Sequence, residues 1–318
     1  MRIVVLDGHT LNPGDNPWDE VAKLGELSVH DRTPNARIVE RARDAEIALT
    51  NKTPFSAATL ALLPRLRFIS VLATGYNIVD VAAARRQNVV VSNVPVYSTN
   101  SVAQLVFAML LERCHHVALH DNAVKQGEWS RSADFCFWKT PLIELEGKQM
   151  GIVGFGRIGR RVGELAHAFG MGVLASDVRQ VDPPAYRPFA WHTIPEVFSE
   201  ADVVSLHCPQ TDENKGMVNA SLLARMKPNA FFINAARGGL VVEQDLADAL
   251  NTGRIGGAAA DVVAAEPIPP TSPLLTAKNC ILTPHIAWAT VEARRRLMKT
   301  TAENVAAFLA GRPINVVN

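Results

Sequence analysis

The sequence predicts an α/β chain built on parallel sheets, on three observations. Short apolar runs alternate with helix-like runs along most of its length. A glycine-rich turn, Gly154-Phe155-Gly156-Arg157-Ile158-Gly159, follows one apolar run and opens a helical stretch. Three ionisable residues, Arg237, Glu266 and His285, each follow another apolar run: Phe231 to Asn234, Gly257 to Ala260, and Cys280 to Thr283. Open α/β sheets bind ligands beyond the carboxyl ends of their strands. A cation, a carboxylate and an imidazole delivered there can bind an acid, orient a base and move a proton.

In the first 95 residues the β-like runs are 3–6, 27–29, 46–50, 68–72 and 89–92. Between them lie helix-like runs at 18–24, 34–43, 56–63 and 79–87. Thr33-Pro34 reads as a helix start, with Thr as cap and Pro at the first helical position. Strands alternating with helices imply a parallel sheet covered on both faces. One long helix is expected over 99–125, with Val102, Leu105, Val106, Met109, Leu110 and Val117 near one stripe, and Gly127 stops it. A less regular connection, 128–145, carries Trp129 and Trp138. The second alternation has strands at 150–153, 173–176, 203–206, 231–233, 257–260 and 281–283, helices at 158–169 and 291–310, and no internal repeat. Arg294, Arg295 and Arg296 read as a solvated face of the last helix.

At 318 residues the chain is long enough for two domains. It is 48% hydrophobic and 20% charged, a globular composition. A net charge of +1, from 32 basic and 31 acidic residues, makes no electrostatic case for nucleic acid or a membrane surface. No stretch approaches the roughly 20 apolar residues of a membrane span. The four cysteines, Cys114, Cys136, Cys208 and Cys280, form no CxxC pair, as expected of free thiols in a reducing cytoplasm.

A lone GxGxxG is a weak signal. Here it follows a strand, opens a helix and has Asp177 18 residues beyond Gly159, directly after the next apolar run. Gly154 permits the tight turn, Gly156 lets backbone approach a pyrophosphate, and Gly159 allows close helix–strand packing. The helix N-terminus offers N–H donors and positive dipole to phosphates. Asp177 would accept hydrogen bonds from a ribose 2′-OH and repel a 2′-phosphate, favouring NAD over NADP, although Arg179 lies close enough in sequence to offset it.

Arg237, between small residues after a buried strand, suits two-pronged binding of a carboxylate. Glu266 would hydrogen-bond His285 and favour its imidazolium. His285 would then give a proton to a carbonyl oxygen as hydride arrives, and take it back in the oxidative direction. With these motifs, and with Leu206-His207-Cys208-Pro209, Asn234-Ala235-Ala236-Arg237-Gly238 and Thr283-Pro284-His285-Ile286, the chain resembles the D-2-hydroxyacid dehydrogenase family over essentially its whole length. The resemblance is nearest to the glycerate dehydrogenase / hydroxypyruvate reductase branch.

That resemblance carries further expectations. Arg237, Glu266 and His285 are the catalytic residues. Gly154, Gly156, Arg157, Ile158, Gly159, Asp177, Cys208, Pro209 and Ala235 line the cofactor, and Asp261 contacts the nicotinamide carboxamide. Ala73, Thr74 and Gly75 belong to the loop whose backbone N–H groups hold the substrate carboxylate. Trp288 stands where many relatives have a small residue and would limit substrate size, and Trp138 is a candidate to approach a partner's site. A Rossmann cofactor domain, 99–285, is inserted into a flavodoxin-like substrate domain made of 1–98 and 286–318, with substrate in the cleft. The expected partners are a small 2-keto or 2-hydroxy acid and a second copy of the chain. Two other readings stay open: an NAD-sensing corepressor-like binding module, and phosphoglycerate oxidation. Glu266 speaks against the formate dehydrogenases, which pair the histidine with an amide. Glu112, His116 and His120 have helical metal-ligand spacing but no HExxH context, and no metal is expected.

Overall fold

A computed structural model describes residues 1–318. The chain divides into two compact units, 1–98 with 288–318, and 99–287. The second unit runs to Ala287, whose N–H, like that of Ile286, donates to the Asp261 carboxylate.

The first unit is a five-stranded sheet of β1 (Arg2–Val5), β2 (Glu26–Val29), β3 (Ile47–Thr50), β4 (Phe68–Val71) and β5 (Val90–Ser92). Its order is β2-β1-β3-β4-β5 and every pair is parallel. Side chains alternate faces along a strand. In β3, Ile47 and Leu49 therefore enter one core cluster while Ala48 enters the other, and all are fully buried. That two-sided burial explains why such strands read as unbroken apolar runs.

The sheet order reverses between β1 and β3. There Asp7 accepts hydrogen bonds from the Asn51, Lys52 and Thr53 N–H groups at 2.8, 2.5 and 2.8 Å, tying the two strand ends together. Ser56 and Asp80 cap the helices Ala57–Ala61 and Val81–Arg86. The expected Thr33 cap does not form. Its hydroxyl donates to the Leu6 carbonyl, and the chain enters the next helix through a 3-10 turn at Asn35–Arg37.

The last helix, Val291–Leu309, returns to this unit, capped by Thr290. Phe308 stacks on Phe68, with ring centroids 4.6 Å apart. Arg294 departs from the expected solvated face, being only 7% exposed. Its guanidinium makes a two-pronged pair with Asp15 at 2.5 and 2.6 Å and also donates to the Leu11 and Ala289 carbonyls. Residue 294 falls on the same side of the helix as Leu297, Met298 and Thr301, which is why it is drawn inward. The pair holds the Asp15 carboxyl below its ordinary range.

The second unit is a seven-stranded sheet of β6 (Gln149–Val153), β7 (Gly172–Ser176), β8 (Phe189–Trp191), β9 (Val203–Leu206), β10 (Phe231–Asn234), β11 (Gly257–Ala260) and β12 (Cys280–Leu282). The order is β12-β11-β10-β9-β6-β7-β8, all parallel. This is the doubly wound nucleotide-binding arrangement with one strand added at the edge. Strand β8 and the helices Ile194–Glu200 and Glu243–Asn251 are additions to the expected elements, the first of these helices opened by a capping box between Thr193 and Glu196. The helix expected over 99–125 is broken: Thr99–His115 and Val117–Lys125 are separate, with His116 in the left-handed region at φ 45°. No single helix is long and apolar enough to cross a membrane.

The Phe68–Phe308 stack makes a stability prediction. Phe68 is fully buried, so Phe68→Ala should cost about 3–5 kcal/mol, read as a lower denaturant midpoint for the first unit. A loss below about 1 kcal/mol would mean that the helix–sheet contact contributes little.

Candidate active site

The second sheet reverses direction between β6 and β9, and the crevice at such a reversal is where doubly wound folds bind ligands. Both loops leaving those strands carry expected residues. Gly154 follows β6 with φ +93°, and a Cβ there would collide with the Cys208 backbone nitrogen. Only glycine allows this turn and lets the two loops approach so closely. Gly159 is equally constrained, since a Cβ would collide with the Gly154 carbonyl oxygen.

Gly156 is different. A Cβ there would meet nothing within 4 Å, and the residue is exposed. It is the N-cap of helix Arg157–Ala168 and provides no side chain to satisfy the first N–H groups. Open space above an uncapped helix N-terminus fits a pyrophosphate. Asp177, at the end of β7, accepts from the Phe155 and Arg179 N–H groups at 2.6 and 3.0 Å. A carboxylate has about four acceptor positions, so two remain for ribose hydroxyls. These residues fit a dinucleotide. Ile158 packs into the core beneath the loop, while Arg157 is exposed.

Beyond β9 stand His207, Cys208 and Pro209. Burial raises the Cys208 thiol above its ordinary range, which disfavours the thiolate. His207 donates to or accepts from the Ser205 hydroxyl through Nε2 at 2.9 Å, while its Nδ1 is shut from solvent without a partner. Desolvation pushes this imidazole down to about 3.

The trio comes from the other half of the sheet, where β10, β11 and β12 are adjacent. His285 Nδ1 lies 2.7 Å from a Glu266 carboxylate oxygen, and both side chains are about 30% exposed. A carboxylate only accepts, so Nδ1 carries the proton and Nε2 is left to exchange protons. His285 sits at φ 54°, a conformation that costs a non-glycine residue about 1–2 kcal/mol. Asp261 accepts from Thr283 Oγ1, Ile286 N and Ala287 N, so the same turn is held on both sides of the histidine.

Arg237, beyond β10, is exposed, and its Nη1 donates to the Ala236 carbonyl at 2.7 Å. Ala235 lies in the same loop, half-buried. Two residues to which the sequence assigns no role shape these loops. Asn234 braces the arginine loop, donating to the Arg237 carbonyl and accepting from Ala236 N–H. Glu243 accepts from Ala264 N–H and the Ser272 hydroxyl, pinning the loop that carries Glu266. Gly238 joins the two loops, since a Cβ there would overlap the Val263 carbonyl carbon.

Ala73, Thr74 and Gly75 lie in the first unit, just past β4. Thr74 donates to the Val94 carbonyl, and its own carbonyl accepts from Asn93. Trp288 is half-buried in the first unit's core, edge-on to Tyr97 at 6.3 Å. Trp138 is 65% exposed.

Residues 107–287 match the sequence profile described as D-isomer specific 2-hydroxyacid dehydrogenase, NAD binding domain. A hydroxypyruvate reductase of Blautia hydrogenotrophica is 48% identical, with 100% of both chains covered. A glycerate dehydrogenase of Methylorubrum extorquens is 42% identical over 88% of each. The solved structure of a Thermus thermophilus protein superposes with a TM-score of 0.87 at 33% identity, covering 100% of both chains. The fold and site define an NAD-dependent oxidoreductase. The chain belongs to the D-isomer specific 2-hydroxyacid dehydrogenase family, within its glycerate dehydrogenase / hydroxypyruvate reductase branch.

His207 makes stability depend on pH. In the unfolded chain it takes a proton below its ordinary value of 6.5, whereas in the folded protein it resists until about 3. Its contribution is present above pH 6.5 and is lost as pH falls through that window. The loss in unfolding free energy from pH 7 to pH 5 should be about 2 kcal/mol smaller in His207→Gln than in wild type. Equal losses in urea titrations would show that His207 titrates normally.

Proposed function

We propose that the protein reduces a short 2-keto acid, hydroxypyruvate or glyoxylate, with NADH, giving the D-2-hydroxy acid. The observation that carries this reading is the 2.7 Å Glu266–His285 pair, with His285 on the loop after β12, beside the loops that bear Glu266 and Arg237. Hydroxypyruvate is chosen over other keto acids on the likeness to the Blautia and Methylorubrum enzymes.

Arg237 binds the carboxylate in two-pronged fashion and draws electron density from the adjacent carbonyl. A reduced nicotinamide held by the glycine loop and Asp177 would supply the hydride for the carbonyl carbon. His285 gives its Nε2 proton to the carbonyl oxygen, so the keto acid gains one hydride and one proton. Glu266 accepts from Nδ1 and keeps the ring from turning. Gly154, Gly156, Arg157, Ile158, Gly159, Asp177, Cys208, Pro209 and Ala235 hold the cofactor, with Asp261 assigned to the carboxamide. The backbone of Ala73, Thr74 and Gly75 is assigned to the substrate carboxylate, and Trp288 to limiting substrate size.

A homodimer is part of the same proposal. The segment 117–142 exposes Val117, Leu119, Trp129, Phe135, Trp138 and Leu142, apolar side chains that a second copy of the chain would cover. A cytoplasmic setting suits the four unpaired cysteines. No nucleic-acid or membrane partner is proposed.

Initial rates of NADH and NADPH oxidation with hydroxypyruvate, glyoxylate, pyruvate and 3-phosphohydroxypyruvate test the reading. Turnover of hydroxypyruvate or glyoxylate, faster with NADH, is expected. Tight NADH binding without turnover of any of the four would favour the cofactor-sensing module instead. His285→Ala should lower kcat by about 10²-fold or more, and near wild-type turnover would remove it from proton transfer. Arg237→Ala should lose activity while NADH affinity, read by fluorescence titration, stays near wild type. A parallel loss of NADH binding would reassign Arg237 to the cofactor or to folding.

A further inference from the structure

Asp261 is 2% exposed, yet its carboxylate has no ion-pair partner. It is satisfied instead by the turn that carries His285. Oδ1 accepts from Thr283 Oγ1 at 2.6 Å and Ile286 N at 2.8 Å, and Oδ2 accepts from Ala287 N at 2.8 Å. The Asp261 carbonyl takes the remaining donor, His285 N, at 2.8 Å. One residue thus receives hydrogen bonds from positions 283, 285, 286 and 287. The far side of the turn is anchored as well, because the Ser101 hydroxyl donates to the Ala287 carbonyl at 2.5 Å. Ala287 is therefore pinned through its N–H by Asp261 and through its C=O by Ser101.

We propose that Asp261 is a positioning residue that holds His285 in its left-handed turn, with Ser101 as the second anchor. The inference rests on the reading of His285 as the proton donor. It adds to the carboxamide contact rather than replacing it, since three of about four acceptor positions are filled and one remains. The backbone at His285 does not hold φ 54° by preference. Loosening the clamp lets the turn relax toward negative φ and carries the imidazole off Glu266. A misplacement of about 1 Å at a reacting group costs about 10²-fold in rate.

Three variants of the full-length enzyme test this: Asp261→Asn, Thr283→Val and Ser101→Ala. Asp261→Asn turns an N–H₂ toward at least one backbone donor, while the other two remove a single hydroxyl each and carry the test should Asp261→Asn not fold. The readouts are kcat and KM, the Kd of NADH by fluorescence titration, and the rate at which diethyl pyrocarbonate modifies His285 without cofactor, followed by peptide mass spectrometry. We expect kcat to fall about 10²-fold in Asp261→Asn and about 10-fold in the hydroxyl variants, with the KM and NADH Kd of the two hydroxyl variants within about threefold of wild type. His285 modification should speed up in all three as the ring leaves Glu266, and Ser101→Thr should restore both kcat and the wild-type modification rate. Unchanged kcat and unchanged His285 reactivity, or a loss confined to NADH Kd, overturns the proposal. If the wild type turns over no keto acid, the reading of the reaction fails, and His285 reactivity across the variants still decides whether the clamp exists.

Discussion

Parallel pairing of the second sheet is the constraint on which the site depends. All seven strands run the same way, so every carboxyl end lies on one edge, and each connection must cross back over a face. Loops that leave adjacent strands are then adjacent, however far apart their residues lie in the chain. Arg237, Glu266 and His285 span nearly fifty residues of sequence, yet they leave β10, β11 and β12, which are neighbours. The glycine turn and Cys208 meet by the same logic at the reversal between β6 and β9. The chemistry is a consequence of strand order.

Polar groups near the strand ends hold backbone. Asp7, Asp177, Asn234, Glu243 and Asp261 each accept backbone N–H groups from a loop beyond a strand end. Hydrogen bonds to charged groups contribute about 1.5–3 kcal/mol apiece when the donors would otherwise go unsatisfied. They also explain how a histidine can remain at positive φ within a loop. The unfavourable backbone conformation is local, and the bonds that offset it converge on a single carboxylate.

Much of the fold is legible because fully buried parallel strands read as uninterrupted apolar runs between helix caps and glycines. Val203 to Leu206 and Phe231 to Asn234 are unambiguous in that sense. Strand β8 is not, since its three residues, Phe189, Ala190 and Trp191, sit at a sheet edge and are only partly buried or exposed. The sequence predicts too long a helix over 99–125 because apolar periodicity continues past His116, whereas the backbone turns there into the left-handed region, which periodicity does not report. Arg294 departs from expectation for the opposite reason. Three consecutive arginines resemble a solvated face, but a helix turns about 100° per residue, so one of them must point differently from its neighbours.

By itself the sequence determined the class of chemistry and nominated the groups proposed to react. A glycine spacing tied to a strand, a helix and a distant acid is dictated by backbone contact with a pyrophosphate, and a cation, a carboxylate and an imidazole after three strands define an acid–base site. Tertiary structure alone decided how those groups are held. Asp261 clamps the His285 turn, Asn234 and Glu243 brace the arginine and glutamate loops, and Trp288 packs into the core beside Tyr97. These are contacts between segments brought together by strand pairing and helix packing. They depend on register and distance, which one-dimensional spacing does not encode.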